Sequence, residues 1–141
     1  MGATFRIPLR SVSSTEECWD LLQQCGVPKE RIYAATLDTR IELRSGEVDD
    51  NESITTTTAA FSPAHTGVNW TAGGANALII GREGPGLSSE IRDAVSQGVI
   101  GSVHVPMEGG MDSLNAAICG SVILFEYARQ KRDCSFLFEK N

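Results

Sequence analysis

Residues 75–80, Ala-Asn-Ala-Leu-Ile-Ile, form a short apolar run that stops at Gly81. A run that is apolar at consecutive rather than alternate positions suits a strand covered on both faces of a parallel sheet. Parallel strands need long crossovers, usually helices, so this run commits the chain to α/β layers. The flanking sequence supplies the crossovers. Ser88-Ser89-Glu90 is a good start for a helix over residues 88–97, and residues 102–107 read as another strand. After the Glu108-Gly109-Gly110 loop, Asp112 or Ser113 can cap a helix reaching about Arg132. Upstream, residues 3–9 alternate weakly, with Phe5, Ile7 and Leu9 on one side of a short strand. A helix follows, capped by Ser14 or Thr15 and stopped by Gly26 and Pro28, and residues 31–37 read as a strand. The expected fold is α/β, a mostly parallel sheet with helices on both faces.

Two stretches depart from this rhythm. Residues 38–74 are charged and rich in Thr, Ser and Gly, with an acidic run at 47–52 and four threonines from Thr55. They read as a long surface insertion or disordered loop, with Trp70 docking back onto the domain. The last helix is apolar almost all round from Leu114 to Ala128, with Glu126 as its one charge and Ala116, Ala117, Gly120 and Ser121 keeping one side slim. Such a helix belongs in a core or a subunit interface, where Ile118, Val122, Leu124 and Phe125 would each contribute roughly 1.5 to 3 kcal/mol on full burial. The domain therefore divides into a strand-helix-strand portion (1–37), the polar insertion (38–74), a densely patterned region (75–132) and a tail (133–141).

Composition excludes several classes. The 141 residues are 41% hydrophobic and 21% charged, ordinary for one globular domain. No run approaches the roughly 18 apolar residues of a membrane span, and residues 1–10 lack the form of a signal peptide, so a soluble, intracellular chain is expected. Cys18, Cys25, Cys119 and Cys134 form no CxxC pair, and His65 and His104 stand far apart in sequence, so neither a zinc site nor a disulfide framework is expected. The Asn51 and Asn69 acceptor patterns for glycosylation read as chance without a secretory signal. A net charge of −6, with Arg129, Lys131 and Arg132 the one tight basic group, does not by itself point to nucleic acid.

Ligands of a parallel α/β sheet sit beyond the carboxyl ends of its strands, here the loops after Ile80 and Val105. The first loop, Gly81 to Ser88, has the GxxxxG frame of a phosphate-binding loop, but Leu87 stands where the lysine must be and Glu83 would repel phosphates. Against a dinucleotide fingerprint, Ser89 replaces the third glycine. Glu83 lies at the amino end of a helix, which favours its ionised form, so an anchor or orienting group for a cation suits it better than a proton acceptor; an exposed acid without a role is the plain alternative. The second loop, Val103 to Asn115, offers the free N–H groups of a helix start with Ser113 and Asn115 beside them. Val105, Met107 and Leu114 form an apolar wall suited to an aromatic ring with polar edges. Helix caps and core methionines explain the same residues equally well.

Taken together, Asn76-Ala-Leu-Ile-Ile-Gly-Arg-Glu-Gly-Pro-Gly-Leu-Ser88 and Val105-Pro-Met-Glu-Gly-Gly-Met-Asp-Ser-Leu-Asn115 closely resemble the second and third motifs of the TrmH/SpoU family of RNA ribose 2'-O-methyltransferases, of the SPOUT class. The small-residue helix that follows matches as well. The resemblance is tight over residues 75–128 and looser over 2–37, where Gly2-Ala3 and Ile7-Pro8-Leu9 look like an earlier family segment.

The resemblance implies an α/β trefoil knot, bent S-adenosylmethionine held by the knotted loops, tRNA or rRNA as substrate, no metal, and a homodimer whose interface adjoins the site. Carried over, Gly81, Val105 and Leu114, with Thr36 or Ala35 and the neighbouring Met107, would hold the cofactor. Glu83, Ser113 and Asn115 fall on catalytic-site positions. The family's first motif, an NxGxxxR segment carrying an arginine, has no match here. The opening strands are therefore expected to be missing and the chain alone to be weakly stable and inactive. Two other readings remain: a cofactor-binding or dimerisation module that transfers nothing, and a nucleotide-binding hydrolase, which would take ATP and not S-adenosylmethionine.

Overall fold

The computed structural model describes residues 8–36, 40–45, 56–107 and 114–138. Helix α1 (Thr15–Gln24) begins where Ser14 Oγ accepts from Glu17 N at 3.2 Å and ends before Gly26, whose φ of +74° suits glycine. A 3-10 turn at Lys29–Arg31 feeds strand β1 (Ile32–Ala35). Next come β2 (Arg40–Ser45), β3 (Thr56–Phe61), β4 (Ala77–Ile79), helix α2 (Ser89–Ser96), β5 (Gly101–Val103) and the long α3 (Ala116–Phe138). Ser88 caps α2, accepting from Ile91 N at 3.5 Å.

Three strands form a parallel sheet in the order β4-β1-β5, with Ala34 paired to Ile79 on one side and to Ser102 on the other. Strand pleating divides the core in two. Ile32 and Ala34 pack with Val27, Val95 and Ile100, joined by Trp19 and Leu22 of α1 and Ile91 and Ala94 of α2. Tyr33 and Ala35 face the other way, onto Val68, Trp70, Val103, and Cys119 and Ile123 of α3. The sheet is thus covered by α1 and α2 on one face and by α3 on the other. Of the apolar run at 75–80, Ala77–Ile79 form a strand, but a half-buried one, because among the described strands β4 borders the sheet. Of the expected strand over residues 3–9, Pro8 and Leu9 are described and lie in no strand; the rest falls outside the described residues.

Within the stretch from 38 to 74, which its polarity suggests is a loop, the described residues include two strands. β2 and β3 pair antiparallel, from Arg40 opposite Phe61 to Ser45 opposite Thr56. β-Branched threonines are good strand formers, and Ile41 and Leu43 alternate with charged residues; a polar composition fits a two-stranded ribbon as well as a loop. The return segment is firmly seated. Trp70 is 2% exposed, meets the Tyr33 ring edge-on at 5.0 Å, and donates from Nε1 to His65 O at 2.9 Å. Its backbone N donates to Gln130 Oε1 of α3 at 2.9 Å, while Gln130 Nε2 donates to Val68 O at 3.0 Å. Near the amino ends of β1 and β4, Arg31 and Asn76 both donate to Trp70 O.

α3 is longer than expected, running to Phe138 instead of Arg132, and it is two-faced. Cys119, Ile123 and Glu126 are buried, whereas Ile118, Leu124 and Phe125 are 53%, 59% and 70% exposed. Their burial in this chain's own core, one of the two expectations, does not occur. Glu126 is held by Arg129 through two hydrogen bonds of 2.8 and 2.7 Å and by Gln130 at 2.8 Å. These bonds, Arg129 first, draw its pKa down to about 2. Among the described residues, no helix is long and apolar enough to cross a membrane.

Candidate functional site

The register of the three parallel strands places their carboxyl ends side by side. Thr36 directly follows β1 and its N–H bonds Val103 O at 2.9 Å. Ile80 and Gly81 follow β4, and His104 and Val105 follow β5. Thr36, Gly81 and Val105, singled out from the sequence, therefore share one edge of the sheet. Val105 and Leu114 pack into the same apolar cluster as Val103, Cys119 and Ile123. Met107 lies farther out, 37% exposed. Ser113 falls outside the described residues.

The loop after β4 is a small hairpin. Arg82 N donates to Gly86 O at 3.0 Å and Gly86 N to Arg82 O at 2.9 Å, which puts Glu83, Gly84 and Pro85 at the tip. Gly84 and Gly86 adopt φ of +80° and +69°, where side-chain-bearing residues are strained. Gly81 is required for a different reason. A Cβ there would lie 2.5 Å from the Gly86 carbonyl carbon and 2.7 Å from Leu87 N, so only glycine lets the returning limb close over the strand end.

The hairpin tip meets α3. Asn115 Oδ1 accepts from Ala117 N at 2.9 Å and Ile118 N at 3.3 Å, an N-cap arrangement, while Asn115 Nδ2 donates to Glu83 Oε1. Asn115 itself is therefore a cap of the helix for which the sequence suggested Asp112 or Ser113, both outside the described residues. Glu83 does sit at a helix amino end, but at that of α3 rather than α2. The acid in the first turn of α2 is Glu90, whose pKa is lowered by its own backbone N–H and then by Ser88. One turn into α3, Gly120 leaves room for Ile80 Cδ1, which a Cβ would displace.

Two features were hidden from the sequence. Ser62, 3% exposed, accepts from Thr36 Oγ1 at 3.4 Å. The two histidines are neighbours: Ala64 bridges to His104 as a further parallel pair, His104 N donates to Pro63 O at 3.1 Å, and His65 N donates to His104 O at 2.8 Å. The signal for either contact is a long-range backbone pairing, which no local pattern announces. Among the described residues, no group of three His, Cys, Asp or Glu side chains could hold a metal ion. A shallow depression lined by Thr66, Val68, Asn69, Gln130, Asp133 and Cys134 lies toward the far end of α3, away from these loops.

Residues 1–125 match the family model described as the SpoU rRNA Methylase family. The chain belongs to the SpoU family. Among relatives, it is 41% identical over 56 residues to an uncharacterized tRNA/rRNA methyltransferase of Mycobacterium leprae, covering 40% of this chain and 17% of that protein. A counterpart from Mycolicibacterium smegmatis is 40% identical over 62 residues, or 42% of this chain and 18% of that one. In fold, the chain resembles the SpoU methyltransferase AviRb from Streptomyces viridochromogenes, solved in complex with AdoMet. The TM-score is 0.62 and the identity 22%, over 94% of this chain and 42% of AviRb. The matched region thus spans less than a fifth of those two curated relatives.

Proposed function

We propose that this chain is the cofactor-binding part of a soluble, intracellular S-adenosylmethionine-dependent RNA ribose 2'-O-methyltransferase. The observation that carries the reading is the meeting of the three strand ends, with Glu83 bonded to Asn115 at their rim. The residues suit the cofactor. The backbone at Thr36, Gly81 and Val105 offers strand-end donors and acceptors, and Val105, Met107 and Leu114 provide apolar surface for a purine. Bound there, S-adenosylmethionine would supply a methyl group on a positively charged sulfur.

Transfer to a ribose hydroxyl demands alignment of the acceptor oxygen and removal of its proton. Glu83 is exposed at the hairpin tip with Oε1 committed to Asn115, so it orients a cationic group better than it takes a proton. Ser113, two residues before Asn115, belongs to the same group by resemblance. The arginine of the family's first motif has no counterpart in these residues, so the chain by itself binds without turnover. The trefoil knot belongs to the same reading. In it α3 would be the threaded helix, fixed at Asn115 and Gly120 near its start and at Gln130 farther along.

The exposed stripe of Ile118, Leu124 and Phe125 favours a homodimer, because a solvent-facing apolar helix face of this kind costs free energy until a partner covers it. Isothermal calorimetry with S-adenosylhomocysteine tests the central claim. Saturable heat is expected; none with either the methyl donor or this product overturns it.

A further inference from the structure

His104 is half-buried, and its Nδ1 is enclosed with no hydrogen-bond partner among the described residues. Its backbone N–H donates to Pro63 O and its C=O accepts from His65 N, both on one neighbouring segment, which fixes where the ring departs from the chain. Pleating decides which face it takes. Val103 points to the α3 face, so His104 points to the opposite one, as Thr36 does after Ala35. Ala35 pairs with Val103, which makes Thr36 and His104 neighbours across adjacent strands at the site's edge. Thr36 Oγ1 donates to the buried Ser62 Oγ on the same side. With Nδ1 enclosed, Nε2 is the ring nitrogen left for a ligand. His104 thus shares the face of Thr36 and Ser62 at the strand end, across the sheet from the apolar cluster of Val105 and Leu114.

We propose that His104 is a further ligand-binding residue of the strand-end site, its Nε2–H donating to a hydrogen-bond acceptor on an adenosyl ligand. The assignment rests on the cofactor reading above. Two acceptors of that ligand fit this chemistry: a purine ring nitrogen, or the carboxylate of the amino-acid portion.

Calorimetry on the 141-residue chain separates the cases. S-adenosylhomocysteine should bind His104→Leu about five- to tenfold more weakly than wild type, the worth of one buried hydrogen bond. His104→Gln, which keeps an N–H at similar reach, should stay within about threefold of wild type. An equal loss with 5'-methylthioadenosine, which lacks the carboxylate, assigns the contact to the purine; a loss with S-adenosylhomocysteine alone assigns it to the carboxylate. A direct readout needs no variant: the imidazole 15N resonances of His104 in wild type should move on saturation with S-adenosylhomocysteine. Unchanged affinity in His104→Leu, an equal fall in both variants, or unmoved resonances in the saturated wild type overturns the assignment and leaves the cofactor reading standing. A wild-type chain that binds no S-adenosylhomocysteine overturns both.

Discussion

Asn115 bonds in two directions at once: Oδ1 closes the first turn of α3, and Nδ2 holds the Glu83 carboxylate at the tip of the β4–α2 loop. The two residues are 32 positions apart in sequence, and their bond joins the loops on which the proposed chemistry depends. Asn115→Ala removes both bonds and should lower stability by about 1 kcal/mol in urea titration, the usual worth of an N-cap. Asn115→Asp keeps the cap but sets two carboxylates against each other. It should unfold closer to wild type than Asn115→Ala, yet in any form that transfers methyl it should lose that transfer as fully as Glu83→Ala does.

Gly81 and Gly84 stand three residues apart and should respond differently to alanine. At Gly81 the new methyl meets the backbone of Gly86 and Leu87 at 2.5 and 2.7 Å, so the loop must open. We expect Gly81→Ala to cost roughly 1 to 3 kcal/mol and to abolish calorimetric binding of S-adenosylhomocysteine. At Gly84 the space is open and the strain lies in φ alone, so the loss should be about 1 kcal/mol with binding retained.

What the sequence disclosed was local. The caps at Ser14 and Ser88, the stop at Gly26 and the apolar run before Gly81 depend on neighbours a few residues away, and each is where its pattern placed it. What it concealed depends on pairing across distance. The threonines at 56–58 read as solvated chain until Arg40–Ser45 lies beside them. Ser62 is an ordinary surface serine until the return segment carries it to Thr36. Likewise, Glu83 could be placed at a helix amino end from spacing, but only the folded chain shows that the helix is α3.

Glu126 gives a pH signature. Hydrogen bonds from Arg129 and then Gln130 depress its folded-state pKa to about 2, from an ordinary value of 4.5. A depressed carboxylate contributes stability that is present above the unfolded pKa and lost as pH falls toward the folded one. Wild type should therefore exceed Glu126→Gln in urea stability at neutral pH, with the gap closing between about pH 5 and pH 2. A gap that stays constant across that window removes the charge as its cause.

Turnover tests whether transfer needs an arginine like that of the family's first motif, which has no match in these 141 residues. The 141-residue chain, incubated with labelled S-adenosylmethionine and bulk tRNA or rRNA, should transfer no methyl above background even where calorimetry registers binding. Methylation by the chain alone would show that the remaining residues suffice.

The exposed stripe on α3 makes the last prediction. Phe125 is 70% and Leu124 59% exposed, so replacing either with a charge removes little packing from the single chain. If a second copy covers this face, sedimentation equilibrium of wild type should show a dimer and Phe125→Glu a monomer, with the urea midpoint of the monomeric form nearly unchanged. Ile123, 1% exposed and two residues before Phe125 on the opposite face, supplies the contrast. Ile123→Ala should cost about 2 to 5 kcal/mol, because it opens a cavity beside Val103 and Trp70. A Phe125→Glu chain that is still dimeric would place the interface on another surface and leave the apolar stripe without its partner.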